Sequence, residues 1–134
     1  MTLDISCVRD SLLTIENLSA LNEDLEFVCL DLSDICDAPE MHKYSISTVA
    51  YTLNILGEAG FIIYSVGFAS DCLSDISVFR LTYQGHEFLD TLRPQAFWDK
   101  IHDVCDKTGL KSITAIMEIA DILLPDRIKS ILRS

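Results

Sequence analysis

Apolar residues recur along this chain with two spacings, and the switch between them predicts the order of its elements. After Asp4, the residues Ile5, Val8, Leu12 and Ile15 fall on one helical face while Asp10 and Glu16 fall off it. That spacing predicts an amphipathic first helix over residues 4–18. Residues 22–24 are polar and read as a loop, and residues 25–32 partly alternate, which predicts a short strand. Ser33 and Asp34 are placed to cap a short second helix that runs into Pro39. The clearest helical pattern opens at Tyr44-Ser45, where Ile46, Val49, Ala50, Leu53 and Leu56 keep the spacing of a buried face. Gly60 then stands where such a helix stops, because a left-handed residue after the last turn is least strained as glycine.

Residues 61–66 read as a strand, 67–74 as a turn and 76–81 as a returning strand. Thr82 is positioned to cap a helix from Tyr83 to Leu92, with Phe88, Leu89 and Leu92 on its apolar side. Beyond Pro94 the pattern is helical again. Phe97, Ile101, Val104 and Cys105 make one stripe; after Gly109, the residues Leu110, Ile113, Ile116, Met117, Ala120, Leu123 and Leu124 make a longer one. Pro125 is expected to break that helix and leave Ile128, Ile131 and Leu132 on a last short one. The predicted fold class is mainly α with a small β-hairpin. It is a winged helix-turn-helix with a C-terminal helical extension, the third helix packing on the first two and the hairpin forming the wing. Residues 1–93 are expected to form the winged-helix domain, and residues 94–134 a helical tail packed on it or forming a dimer interface.

Composition refines this picture. The chain has 134 residues, of which 49% are hydrophobic, enough to bury a core without staples. A mean hydropathy of +0.29 beside a net charge of -11 implies more apolar surface than one small core needs. Burial of the surplus between two copies, a homodimer, is the expected outcome. The charge is unevenly placed: residues 1–42 hold ten acidic residues and one basic residue, Arg9, while residues 43–134 are nearly neutral. An acidic stretch of this kind is either a solubilising face or a surface that docks on a basic partner.

Five cysteines without a CxxC pair match neither a disulfide framework nor a zinc site, and their apolar settings predict buried reduced thiols. The opening MTLDIS lacks the basic and apolar regions of a leader. Residues 44–70 carry one charge, Glu58, but polar residues recur and Gly57 and Gly60 divide the segment, so no membrane span is expected. Together these features predict a cytoplasmic protein.

Two segments carry a resemblance. The stretch from Ser45 to Ile62, with Leu56-Gly57-Glu58-Ala59-Gly60-Phe61-Ile62 at its end, resembles the third helix and first wing strand of many bacterial winged-helix regulators. The segment Leu81-Thr82-Tyr83-Gln84-Gly85-His86-Glu87-Phe88-Leu89 resembles the Leu-Thr-x-x-Gly-His-x-Phe-Leu run that follows their wing. Combined with the opening Leu3-Asp4 and Val8-Arg9-Asp10-Ser11-Leu12-Leu13, and with Phe97-Trp98-Asp99-Lys100, the chain resembles an uncharacterised bacterial and prophage winged-helix family, the domain of unknown function 2513. The resemblance covers roughly residues 3–132 and is least marked over 19–42. It implies a fold and a phage-related setting, and it brings no activity with it.

Function turns on charge. A DNA-reading helix brings Arg or Lys to phosphates and guanines. The outward positions expected on the third helix, Ser47, Thr48, Tyr51, Thr52 and Ile55, include no basic residue. The wing carries Asp71 and Asp75 and neither Lys nor Arg; only His42 and Lys43 stand at the helix entrance. The expected partner- or DNA-binding residues are therefore Lys43, Tyr44, Ser47, Thr48, Tyr51 and Thr52. Hydroxyl groups contact phosphates and bases too, so two readings stand. In the first, the chain is a non-enzymatic interaction module of phage or mobile-element type that binds a protein partner. In its most specific form it inhibits a host nucleic-acid-binding complex. In the alternative it is a dimeric DNA-binding transcriptional regulator that sets two third helices in adjacent grooves. A structural or assembly role ranks third.

The expected dimer contacts are Ile113, Ile116, Met117, Ala120, Leu123 and Leu124, against the alternative that the tail folds back on its own first helix. His42, His86 and His102 lack HxxxH or HExxH spacing, so no metal is expected, and His86 is expected to pack its ring within the fold. The sequence holds no nucleophile elbow and no phosphate-cradling glycine loop, and the Asp34, Asp37 and Glu40 cluster reads as solvated; no enzyme activity and no cofactor are expected. Gly85 reads as a packing residue, and Trp98 as a core or interface anchor.

Overall fold

The computed structural model describes residues 1–70 and 72–133. Helix α1 (Ile5–Leu18) starts at Asp4, whose carboxylate accepts the N–H groups of Ser6 and Cys7 at 3.0 and 3.2 Å. These are two of the donors that a helix N-terminus leaves unpaired. Ile5, Val8, Leu12 and Ile15 are buried, as their spacing predicts.

The chain then runs exposed through residues 20–29, with one isolated bridge between Leu21 and Phe27. Strand β1 (Leu30–Asp31), helix α2 (Leu32–Cys36) and a 3-10 turn (Pro39–Met41) follow. The strand predicted over 25–32 therefore shrinks to two residues. Residues 25–29 have no core to face, and Leu25 sits at φ 61°, outside strand geometry. Ser33 and Asp34 lie inside α2 and do not precede it; Asp31 holds the cap position, and its N–H donates to the Asp34 carboxylate at 2.9 Å.

Helix α3 (Ile46–Glu58) begins where Ser45 Oγ accepts the Thr48 N–H at 3.1 Å. After it the chain reverses through Gly60, at φ 82°. Strands β2 (Ile62–Ala69) and β3 (Cys72–Leu81) form an antiparallel hairpin, and β1 pairs with the other edge of β3, giving the order β1-β3-β2. The turn predicted over 67–74 is mostly strand, because backbone pairing continues through Gly67↔Asp75 and Ala69↔Cys72 without needing an apolar face. Helix α4 (Tyr83–Leu92) matches its predicted bounds; Thr82 Oγ1 accepts the Gly85 N–H at 3.0 Å and donates to the Gly60 carbonyl at 2.6 Å.

Helix α5 (Gln95–Thr108) ends at Gly109, at φ 74°, and α6 (Ile113–Arg133) runs through Pro125 without a break. Proline removes one helical donor, but Pro125 and Asp121 are both exposed, so the freed carbonyl is on the solvent side of the helix and is not left buried without a partner. Leu110 lies outside α6 and is exposed.

One core joins these elements. Helix α1 touches α2, α3, α4, β3 and the 3-10 turn, with Leu12, Leu53, Leu56, Val78, Leu89 and Trp98 among the buried residues. Phe61 and Phe88 stack with ring centroids 4.8 Å apart. From α6, Ile113, Ile116 and Ala120 enter the same core, so the tail folds back on its own chain. Cys7 and Cys105 are buried thiols, whereas Cys29 and Cys72 are exposed and Cys36 is half-buried, so the burial expected of most of these thiols holds for two of the five. The fold is mainly helical with a small antiparallel sheet. Among the described residues no helix is long and apolar enough to cross a membrane.

Candidate interaction surface

The residues predicted on the third helix do not share one open face. Lys43 lies 3.0 Å from the Asp10 carboxylate of α1, and the same carboxylate oxygen accepts the Tyr44 hydroxyl at 2.7 Å. The Lys43 ammonium also stands 5.4 Å from the Tyr44 ring centroid. The cation at the entrance of α3 is thus matched by an internal anion. Burial, then the hydrogen bond to Asp10, pushes the Tyr44 phenol well above the usual tyrosine range, which keeps it a donor.

Ser47 is exposed, while Thr48 is half-buried, its hydroxyl 2.9 Å from that of Ser45, and lines a cleft with Asp4, His102 and Lys111. Tyr51 is half-buried in a cleft shared with Leu3, Ile55, Leu110 and Ile113. The α5–α6 junction therefore lies along one side of α3. Thr52, expected outward, is fully buried and donates its hydroxyl to the Thr48 carbonyl at 2.8 Å. Ile46, expected inward, is 65% exposed. Both departures have one cause. The buried arc of α3 runs through Val49, Thr52, Leu53 and Leu56, rotated from the arc that an all-apolar reading selects, because a threonine whose hydroxyl bonds its own helix backbone can join the core.

The tail residues divide in the same way. Ile113, Ile116 and Ala120 are buried in the chain's own core, Leu123 and Leu124 are half-buried against it, and Met117 is exposed. His86 is exposed and not packed, its Nδ1 3.8 Å from a Glu16 oxygen. Arg80, at the base of the hairpin, donates to the Leu81 carbonyl at 2.9 Å and covers the Phe27 ring at 5.3 Å. Trp98 is buried, with the Arg9 guanidinium 5.7 Å from its ring centroid.

A groove of about 490 Å³ opens between α2, the start of α3 and the outer half of β3. Leu32, Cys36, Ile46, Ala50, Leu73 and Ile76 line it with apolar side chains, beside Ser33, Asp31, Asp37 and Asp75; among the described residues no Lys, Arg or His lines it. Sequence reasoning missed this surface because its walls come from three separate segments. The one local sign was the Asp34, Asp37 and Glu40 cluster, which reads in sequence as solvated. Among the described residues, no group of three His, Cys, Asp or Glu is placed to hold a metal ion.

Comparison with known proteins gives one match. The model of the family described as hypothetical protein (DUF2513) matches residues 2–111, which takes in every element from α1 to α5. No curated protein and no solved structure matches the chain.

Proposed function

Since the chain belongs to the DUF2513 family of hypothetical proteins, described by no activity, we propose its function from its surface: a non-enzymatic interaction module that binds a protein partner. The element order helix, short strand, two helical segments, helix, hairpin, helix supports reading the scaffold as a winged helix whose wing is β2–β3. The observation that carries the functional reading is electrostatic. Lys43, the cation at the entrance of α3, is paired with Asp10, and the charged side chains that line the groove beside that helix are, among the described residues, all carboxylates. A duplex approaching this side would meet anions where it needs cations, since phosphate contacts supply most of the affinity of such modules. An acidic surface with apolar residues at its centre suits a basic protein instead.

In its most specific form, supported by the resemblance to prophage proteins, the partner is a basic nucleic-acid-binding complex of a host that the acidic surface blocks. A homodimer fits α6 from its middle to its end, where Ile122 and Leu132 are 74% and 80% exposed, better than the buried residues Ile113, Ile116 and Ala120.

A fluorescence-anisotropy titration with mixed duplex fragments at about 50 mM salt tests the reading. No binding below about micromolar concentration is expected. Tighter, salt-sensitive binding would replace this reading with that of a dimeric DNA-binding regulator. A mass measurement in solution tests the dimer.

A further inference from the structure

Strand β3 is longer than the strand that pairs with its outer edge. β1 covers only Ser77 and Val78, through Asp31↔Ser77 and Leu30↔Val78, and the chain then turns into α2. Residues 72–76 pair with β2 on one side, and among the described residues no strand pairs with them on the other. This stretch borders the acidic groove, to which Leu73, Asp75 and Ile76 contribute. Five strand residues span roughly 17 Å, enough to pair with a short extended segment. An open strand edge presents backbone donors and acceptors that a partner strand can take up.

We propose that this groove takes an extended segment of a partner protein, alternating apolar and basic residues, that adds to β3 in line with β1. The chemistry follows from the lining. Side chains on one face of an added strand would meet Ile46, Ala50 and Leu73. Ile46 is otherwise a 65% exposed apolar residue at the first position of a helix, left uncovered by the described residues. Asp31, Asp37 and Asp75 attract Lys or Arg on the alternate positions, and among the described residues no cation lines the groove to compete. Backbone pairing supplies affinity and the acidic rim selects charge. The inference rests on the proposed reading of the chain as a protein-binding module and names the partner's chemistry.

The test uses the full chain and a dye-labelled octapeptide alternating Val with Lys. Controls are the same peptide with Glu for Lys, and one with proline at its centre. The expected result is salt-sensitive binding of the Lys peptide, slowed amide exchange confined to residues 72–76, and at least about tenfold weaker binding of both controls. Asp75→Lys and Ile46→Ser, both at exposed positions, should each weaken binding about fivefold or more while circular dichroism stays unchanged. Equal binding of the proline peptide, protection elsewhere on the chain, or no binding of the Lys peptide by about 1 mM would overturn the proposal. The same preparation assayed with duplex DNA separates the two failures: DNA binding removes the protein-binding reading, whereas absence of both leaves that reading and removes only the groove.

Discussion

Gly85 in α4 lies directly against the backbone carbonyl of Phe61, so close that a Cβ at position 85 would overlap that oxygen and stand 3.0 Å from its carbon. The same carbonyl accepts the Thr82 N–H at 3.0 Å, so it cannot swing away without opening the joint between the hairpin and α4. Gly85→Ala should therefore destabilise the fold by about 2–3 kcal/mol, although alanine favours a helix by about 1 kcal/mol over glycine. Chemical denaturation of the two chains checks this, and a stabilised variant would show that α4 can move.

Arg93 ties the end of α4 to α1 through two bonds to Glu16, at 2.6 and 2.7 Å, and one to Asp90 at 3.0 Å. The hydrogen bonds from Arg93 hold the Glu16 carboxyl below the usual glutamate range, against the opposing effect of burial. A depressed carboxylate pKa gives stability that is complete above the unfolded value, about 4.3, and lost as pH falls through the folded value. Both side chains are partly solvated, so Glu16→Gln should cost only about 0.5–1 kcal/mol at pH 7. The difference from the natural chain should close below about pH 4 in a series of denaturation curves.

Tyr44 keeps its proton because burial and the Asp10 carboxylate both oppose ionisation. In an ultraviolet titration its transition should come after the ordinary tyrosine range, and Tyr44→Phe should remove the latest of the transitions. A folded pKa raised above the unfolded one adds stability at neutral pH that is lost once pH rises through the folded value. Loss of the hydroxyl should cost about 1 kcal/mol at pH 7. A Tyr44→Phe chain as stable as the natural one would mean that Lys43 alone satisfies Asp10.

The cysteines give a direct reading of burial. Cys29 and Cys72 are exposed, whereas Cys7 and Cys105 are buried and burial pushes their thiols up. Disulfide-exchange labelling of the native chain should modify two thiols quickly. Cys36, half-buried in the groove and also raised by burial, should follow slowly, and Cys7 and Cys105 only on unfolding.

Thr52→Val tests which way α3 faces. The Thr52 hydroxyl donates to the Thr48 carbonyl of its own helix, which also lies within reach of the Thr52 backbone N–H, and it stands beside the Cys7 thiol of α1. The substitution should change stability by less than about 1 kcal/mol and leave partner binding untouched. A loss of binding without loss of stability would return Thr52 to the surface.

The order of elements was set by the sequence alone, because period, cap and stop are local. Asp4, Ser45 and Thr82 cap helices through bonds to residues two or three positions away, and Gly60 and Gly109 take left-handed conformations that their own backbone allows. Helix α4 could be bounded to the residue on that ground. Tertiary structure decided what those signals cannot carry: which face of α3 turns inward, that the hairpin strands extend through residues read as turn, and that α6 passes through Pro125. It also decided that Ile113, Ile116 and Ala120 meet their own core before any second copy, and that residues 31–37, 46–50 and 73–76 wall one acidic groove. Burial and pairing depend on which distant segments arrive beside a residue, and no window along the chain contains them.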